Sequence, residues 1–149
     1  MEKHCLFFDG DSKGNPGAAS GRGLIQDPGG QIEVLYSWGL GFDTNNRVEA
    51  LALLQGIRQA NSRGIHDLAV LSDSRIIIQA MYKRRLPPQE NLSHILKKVI
   101  QLLDRFDSVD FYHVLRGLNV QADVEANKGV LLRRGLLSIN GNLSQSVIP

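Results

Sequence analysis

The sequence predicts an α/β domain in which a mixed β-sheet carries helices on its faces. Two strand-like segments, 23–26 and 32–38, are joined by a short Pro-Gly-Gly connection, which predicts a hairpin. From residue 44 onward, apolar residues recur with a helical period between short runs typical of buried strands. Hairpin strands followed by strand–helix alternation indicate a mixed sheet, because parallel strands need crossover connections.

The elements can be placed in order along the chain. Residues 4–9 form an apolar first strand that ends on Asp9, and a turn rich in glycine and proline follows it. After the hairpin, helices are predicted over 44–63, 74–82, 92–106 and 120–134, and strands over 67–72 and 109–115. No repeat or long linker interrupts the chain. We therefore expect one domain over 1–135 and a C-terminal tail over 136–149 to which no element is assigned.

Composition excludes several classes of protein. No apolar stretch is long enough to span a bilayer, and the N-terminus lacks the apolar core of a signal peptide, so we expect no membrane segment. Cys5 is the single cysteine, which excludes an intrachain disulfide and a thiolate zinc cluster and suits an intracellular location. A net charge of +2 permits a phosphate-bearing partner without requiring one.

Four acidic residues fall at the ends of predicted elements. Asp9 and Asp73 each end a strand, Glu49 lies in the first turns of a helix, and Asp123 lies near the start of the last helix. Neighbouring parallel strands lie about 5 Å apart, so carboxylates at their carboxyl ends can share hard cations. Singly, each acid is also explained as a turn residue or a helix cap. Four of them at matching ends are difficult to explain as caps.

The motifs around these acids resemble the ribonuclease H family, in its compact plant and archaeal-like type 1 branch, which includes reverse-transcriptase-associated domains. The resemblance covers about residues 4–135. Its four motifs are Asp9-Gly10 with Asn15-Pro16-Gly17, Thr44-Asn45-Asn46 with Glu49, Ser72-Asp73-Ser74, and His113-Val114 with Arg116, Asn119, Ala122 and Asp123.

The resemblance implies a ribonuclease H-like fold: a five-stranded mixed sheet of order 3-2-1-4-5 flanked by helices, with strands 1, 4 and 5 parallel. It implies a metal-dependent endoribonuclease that hydrolyses the RNA strand of RNA–DNA hybrids with little sequence specificity. Asp9 and Asp123 would bind one Mg²⁺, and Asp9, Glu49 and Asp73 a second; Mn²⁺ could substitute. The enzyme is expected to be a monomer.

Substrate contacts follow from the same resemblance. Asn15, Asn45 and Asn46 match positions that touch the minor groove and the RNA 2′-hydroxyls, and Thr44 matches a position that holds a DNA phosphate. Arg75 replaces the usual glutamine, which predicts a phosphate contact in place of a groove contact. The structural alternative is that Thr44 caps a helix and the asparagines form its turn.

The other conspicuous residues are given structural interpretations. His113 is expected to be a packed core or structural histidine, and Trp38, Met81 and the phenylalanines are expected in the core. Lys83-Arg84-Arg85 is either a reduced version of a basic substrate handle or a solvated loop.

Three alternatives to a standalone ribonuclease H are considered for this sequence. A 3′–5′ exonuclease of the same fold is disfavoured, because no His or Tyr stands shortly before Asp123. A non-catalytic nucleic-acid-binding module is disfavoured because clustered acids repel each other without a cation. A domain from a retroelement polyprotein would have the same activity.

Overall fold

The computed structural model describes residues 3–114, 136–139 and 142–145, and its elements alternate as the sequence predicts. The strands are β1 (His4–Lys13), β2 (Gly17–Gln26), β3 (Ile32–Asp43), β4 (Asp67–Ser72), β5 (Ser108–His113), β6 (Leu136–Ile139) and β7 (Asn142–Gln145). The helices are α1 (Asn45–Ser62), α2 (Arg75–Lys83) and α3 (Glu90–Leu103). The predicted last helix and Asp123 lie outside the described residues.

The described strands form one sheet in the order β5-β4-β1-β2-β3-β6-β7. The predicted order 3-2-1-4-5 is confirmed, and β1, β4 and β5 are parallel as expected. Two further strands, β6 and β7, extend this sheet beyond β3. They form an antiparallel hairpin within the tail to which the sequence analysis assigned no element, and β6 pairs with β3 from Tyr36 to Trp38.

The hairpin formed by β1 and β2 is longer than the sequence suggests. β1 continues past Asp9 to Lys13, so the turn is confined to the residues between Lys13 and Gly17. A Cβ on Gly17 would lie 1.6 Å from the backbone oxygen of Lys13, so this position requires glycine. The extension matters because it carries Asn15 to the start of α1, where the backbone N–H of Asn45 donates to Asn15 Oδ1 at 2.9 Å.

Helix α1 is the centre of the core. Its middle turns are buried nearly all round, because the helix packs on β1, β2 and β3 and also against α3. The hydroxyl of Tyr36 donates to the backbone oxygen of Ala52 at 2.6 Å, and burial raises the pKa of Tyr36 far above its usual range. This phenol fits between β2 and α1 because Gly23 and Gly56 carry no Cβ.

The predicted core is confirmed with one exception. Trp38, Met81 and most of the phenylalanines are buried or half-buried, but the Phe42 residue is 75% exposed near the end of β3. Simple alternation would put Phe42 on the same face as Trp38 and Leu40. A β-bulge between Gly39 and Gly41, seen as a register shift in the β2–β3 ladder, turns Phe42 to the opposite face. Among the described helices, none is long and apolar enough to cross a bilayer.

Candidate active site

Two of the predicted carboxylates, Asp9 and Asp73, lie just beyond the point where the parallel pairing of β1 with β4 ends. The prediction that Asp9 ends its strand is wrong, because β1 continues to Lys13 in its pairing with β2. In the register between β1 and β4, Phe7 pairs with Leu71. Continuing this register by two residues places Asp9 opposite Asp73, which directly follows the last residue of β4. The carboxyl ends of parallel strands therefore bring these two side chains together, as the sequence predicts.

Glu49 joins them because helix α1 packs unusually close to β1. A Cβ on Gly10 would lie 2.7 Å from the backbone nitrogen of Glu49 and 2.8 Å from Cγ2 of Val48. Real Cβ atoms do not make contacts this short, so only glycine allows this approach. The glycine that follows Asp9 thus brings the second turn of α1, and with it Glu49, close to Asp9.

The three carboxylates form one cluster. One oxygen each from Asp9, Glu49 and Asp73 lie within 4.8 Å of one another. Asp9 is buried, whereas Glu49 and Asp73 are half-buried, so the cluster can be reached from solvent. An all-oxygen donor set of this size fits a hard divalent cation. Asp123 is outside the described residues, so its place in the cluster stays a prediction.

Asp9 has two hydrogen-bond donors within the site. The backbone N–H of Gly10 donates to its Oδ1 at 2.8 Å, and Nη2 of Arg22 donates to its Oδ2 at 2.8 Å. Arg22 was not among the site residues predicted from the sequence. Its role depends on the β1–β2 register, in which Asp9 pairs with Arg22, and the sequence around it gives no local pattern that would identify it.

A polar cavity of about 570 Å³ lies beside the cluster, between the β1–β2 turn, α1 and α3. Its lining includes four of the five predicted substrate-binding residues, Asn15, Thr44, Asn45 and Asn46, together with Glu49. Three polar residues that the sequence analysis missed also line it: Arg47, Gln89 and Asn91. Gln89 and Asn91 were missed because they come from the start of α3, which is distant in sequence and approaches α1 only through tertiary packing.

The capping interpretation of Thr44 is confirmed. Thr44 is the N-cap of α1, and its hydroxyl accepts from the backbone N–H of Arg47 at 3.4 Å. The cap and a ligand contact are compatible, because a hydroxyl can also donate. Arg75 lies elsewhere: it is the exposed first residue of α2, two positions after Asp73, and it does not line this cavity.

His113 was predicted to be a packed core or a structural histidine, and the core interpretation is wrong. His113 is the exposed last residue of β5, and its Nε2 lies 3.2 Å from the backbone oxygen of Asp73. Alternation puts His113 on the same face as the buried Phe111, but His113 is the last residue of β5 and is exposed. His113 thus contacts the loop that carries a cluster carboxylate.

The basic segment after α2 is only partly available to a ligand. Arg84 ends α2 in a left-handed conformation (φ 52°), and its guanidinium donates to the backbone oxygen of Met81. The same guanidinium lies 5.4 Å from the ring centroid of Phe111. Lys83, Arg84 and Arg85 are all exposed to solvent, but the Arg84 guanidinium is used within the fold.

Comparison with known proteins identifies relatives of this chain. The sequence model of a family described as reverse transcriptase-like matches residues 7–129. Ribonuclease HI from Halobacterium salinarum is 32% identical over 127 residues, which cover 83% of this chain and 62% of that protein. A bifunctional protein from Mycobacterium tuberculosis is 31% identical over 127 residues, covering 84% of this chain and 35% of that protein. The chain thus spans less than two thirds of the length of either relative.

Solved structures similar to this chain include two ribonuclease H1 proteins. The crystal structure of ribonuclease H1 from Halobacterium salinarum matches with a TM-score of 0.81 and 28% identity, covering 85% of this chain and 96% of that one. LC11-RNase H1, solved in complex with an RNA/DNA hybrid, matches with a TM-score of 0.80 and 25% identity, covering 86% and 96% of the two chains.

Proposed function

The chain belongs to the reverse transcriptase-like family and is a member of the ribonuclease H family, and we propose that it hydrolyses the RNA strand of RNA–DNA hybrids. The observation that carries this proposal is the cluster of Asp9, Glu49 and Asp73, whose oxygens lie within 4.8 Å of one another beside an amide-lined cavity. A metal centre next to hydrogen-bonding groups suited to a sugar–phosphate backbone is what hybrid cleavage requires.

We assign the carboxylates as ligands of two Mg²⁺ ions, for which Mn²⁺ can substitute. Asp9 and Asp123 would hold one ion, and Asp9, Glu49 and Asp73 the other. When bound, such ions activate water and stabilise the leaving oxygen. The chain contributes the fixed positions of the ligands: β1 and β4 set the Asp9–Asp73 pair, and the close contact at Gly10 sets Glu49.

The asparagines would recognise the RNA strand. An amide group both donates and accepts hydrogen bonds, so Asn15, Asn45 and Asn46 can bind a 2′-hydroxyl irrespective of the base. Deoxyribose offers no such group, which gives selectivity for hybrids over duplex DNA. Thr44, with Arg47 and Asn91 beside it, would hold a phosphate of the DNA strand. Arg75, exposed near Asp73, would contact a phosphate.

The alternatives make different demands on the site. A binding module without catalysis has no use for three acids whose oxygens lie within 4.8 Å, because their mutual repulsion destabilises the fold when no cation is bound. A 3′–5′ exonuclease requires a free end and leaves the amide-lined cavity without a role. We propose an intracellular, monomeric enzyme; the single cysteine is in keeping with an intracellular location.

The test is cleavage of labelled substrates. The purified chain in Mg²⁺ is expected to cut an RNA–DNA hybrid internally and to leave duplex DNA, duplex RNA and single-stranded RNA intact. Asp73→Asn preserves the shape of the side chain and removes a ligand charge, so it should reduce cleavage by orders of magnitude without lowering Tm measured in EDTA. Asp107→Asn, an exposed aspartate outside the cluster, is the matched control and should retain activity. Retention of near wild-type cleavage by Asp73→Asn would exclude the proposed centre.

A further inference from the structure

Asp9 and Arg22 are the two charged residues that are buried among those the structure describes. Their side chains are 7% and 4% exposed, and Nη2 of Arg22 lies 2.8 Å from Oδ2 of Asp9. They are directly opposed in the β1–β2 ladder. The neighbours of Arg22 on β2 explain its direction: Gly21 faces Ala52 of α1 and Gly23 faces Tyr36, so Arg22 points to the opposite face of the sheet.

This contact uses part of the coordinating capacity of Asp9. Oδ2 accepts from Arg22, and Oδ1 accepts from the backbone N–H of Gly10. A carboxylate offers about four lone-pair sites, and these two donors occupy two of them. A cation bound through Oδ2 at its usual distance would lie within roughly 5 Å of the guanidinium nitrogen.

We propose that Arg22 is a positioning residue of the metal centre: it holds the Asp9 carboxylate in place when no metal is bound and weakens the binding of divalent ions there. The inference rests on the proposed metal site and extends it to a residue outside the ligand set. A buried carboxylate without a partner is strongly destabilising, so the guanidinium allows the chain to fold with the centre empty. The same charge then raises the concentration of Mg²⁺ needed to fill the centre.

The experiment compares Arg22→Met with the wild-type chain. Methionine keeps a long apolar stem and removes the charge, and Arg63→Met, an exposed arginine at the end of α1, is the matched control. Tm is measured in EDTA and then across a Mg²⁺ titration, which gives an apparent Kd for each variant. We expect Arg22→Met to have a lower Tm in EDTA, an apparent Kd about three- to tenfold tighter than wild type, and a larger Mg²⁺-induced rise in Tm. Arg63→Met should match wild type in all three quantities.

The apparent Kd for Mg²⁺ distinguishes the proposed role of Arg22 at the metal centre from a purely structural role. An arginine that only stabilises the sheet would lower Tm when removed but leave the apparent Kd for Mg²⁺ unchanged, so an unchanged or weaker Kd in Arg22→Met overturns the inference. If Arg22→Met is unfolded in EDTA, 10 mM Mg²⁺ should restore folding, because the ion then supplies the missing charge; a chain that stays unfolded also overturns it.

The wild-type titration distinguishes this failure from failure of the proposed function. If Tm of the wild-type chain does not respond to Mg²⁺ or Mn²⁺, the metal site itself is wrong, and the role of Arg22 falls with it. If the wild-type chain responds and cleaves hybrids but Arg22→Met binds Mg²⁺ no more tightly, only the role of Arg22 is excluded.

Discussion

Nε2 of His113 lies 3.2 Å from the backbone oxygen of Asp73, so the last residue of β5 contacts the loop that carries a cluster carboxylate. His113 also pairs with Ser72 in the parallel ladder between β4 and β5. The pairing of His113 with Ser72 and the contact of the His113 side chain together fix the position of the Asp73 backbone after β4. Through this contact, the exposed end of β5 lies directly against the loop that carries a ligand of the proposed metal centre.

His113→Ala is expected to lower kcat on a hybrid several-fold, because Asp73 loses one of the contacts that fix its backbone. Tm should change little, since the lost hydrogen bond is at an exposed site and contributes about 1 kcal/mol or less. The measurement is kcat and KM with Tm recorded in parallel. Tyr112→Ala, the exposed neighbour on β5, is the control and should leave kcat near wild type. Equal kcat in the two variants would exclude a role for the contact.

Asn46→Ala is expected to reduce cleavage of hybrids by tenfold or more, because a hydrogen-bonding group facing the 2′-hydroxyl is lost and its partner is left unsatisfied, at a cost of about 1–3 kcal/mol. Asn61→Ala, an asparagine at the far end of α1, is the control. The substrates are DNA duplexes with progressively shorter runs of ribonucleotides. If a duplex without ribonucleotides is cut as well as a hybrid, the 2′-hydroxyl is not what the site recognises.

Lys83→Ala and Arg85→Ala are expected to change the salt dependence of hybrid binding, because each exposed cation that contacts a phosphate adds about 0.7–0.9 to the slope of log K against log salt. Arg84→Ala should mainly lower Tm, since its guanidinium binds the end of α2 and lies over Phe111. The loss is about 1–2 kcal/mol. Binding isotherms at several salt concentrations, with a thermal scan of each variant, separate the two effects. If Arg84→Ala left Tm unchanged but reduced the slope of log K against log salt, the structural role assigned to Arg84 would be contradicted.

Removal of residues 136–149 is expected to lower Tm by several degrees and to promote self-association. The truncation takes away β6, which pairs with β3 from Tyr36 to Trp38, and so exposes the backbone groups of a long strand. Thermal scans and gel filtration at two protein concentrations measure both effects. An unchanged Tm and a monomeric truncated chain would show that the domain predicted over 1–135 is complete without the hairpin.

Alkylation of Cys5 is expected to be slow in the folded chain, because burial raises the pKa of its thiol and the thiolate is the reactive form. As pH rises past the usual thiol range, the unfolded chain ionises first, so this group lowers folding stability only in alkaline solution. Labelling with iodoacetamide at pH 8, with and without urea, tests the first point. Equal rates in the two conditions would contradict it.

The sequence by itself determined the features that depend on local pattern. Apolar periodicity located α1 to α3 and β1 to β5 but not β6 and β7, because an amphipathic face repeats with the period of its own element. Asp9, Glu49 and Asp73 were identified as a group because each was predicted near the end of an element, and the predicted order of elements places these positions together. Glycine after Asp9 was visible as a motif, although its physical reason, the contact with α1, was not.

Only the tertiary structure decided which residues face one another across the sheet. Arg22 reaches Asp9 through the register of β1 and β2, Gln89 joins the amide-lined cavity through the packing of α3, and the hairpin of β6 and β7 docks on β3. Register and packing depend on groups far apart in the chain, so no local pattern encodes them. His113 shows the same limit: its strand was predicted, but whether a strand-end residue is covered depends on what the rest of the fold places over it.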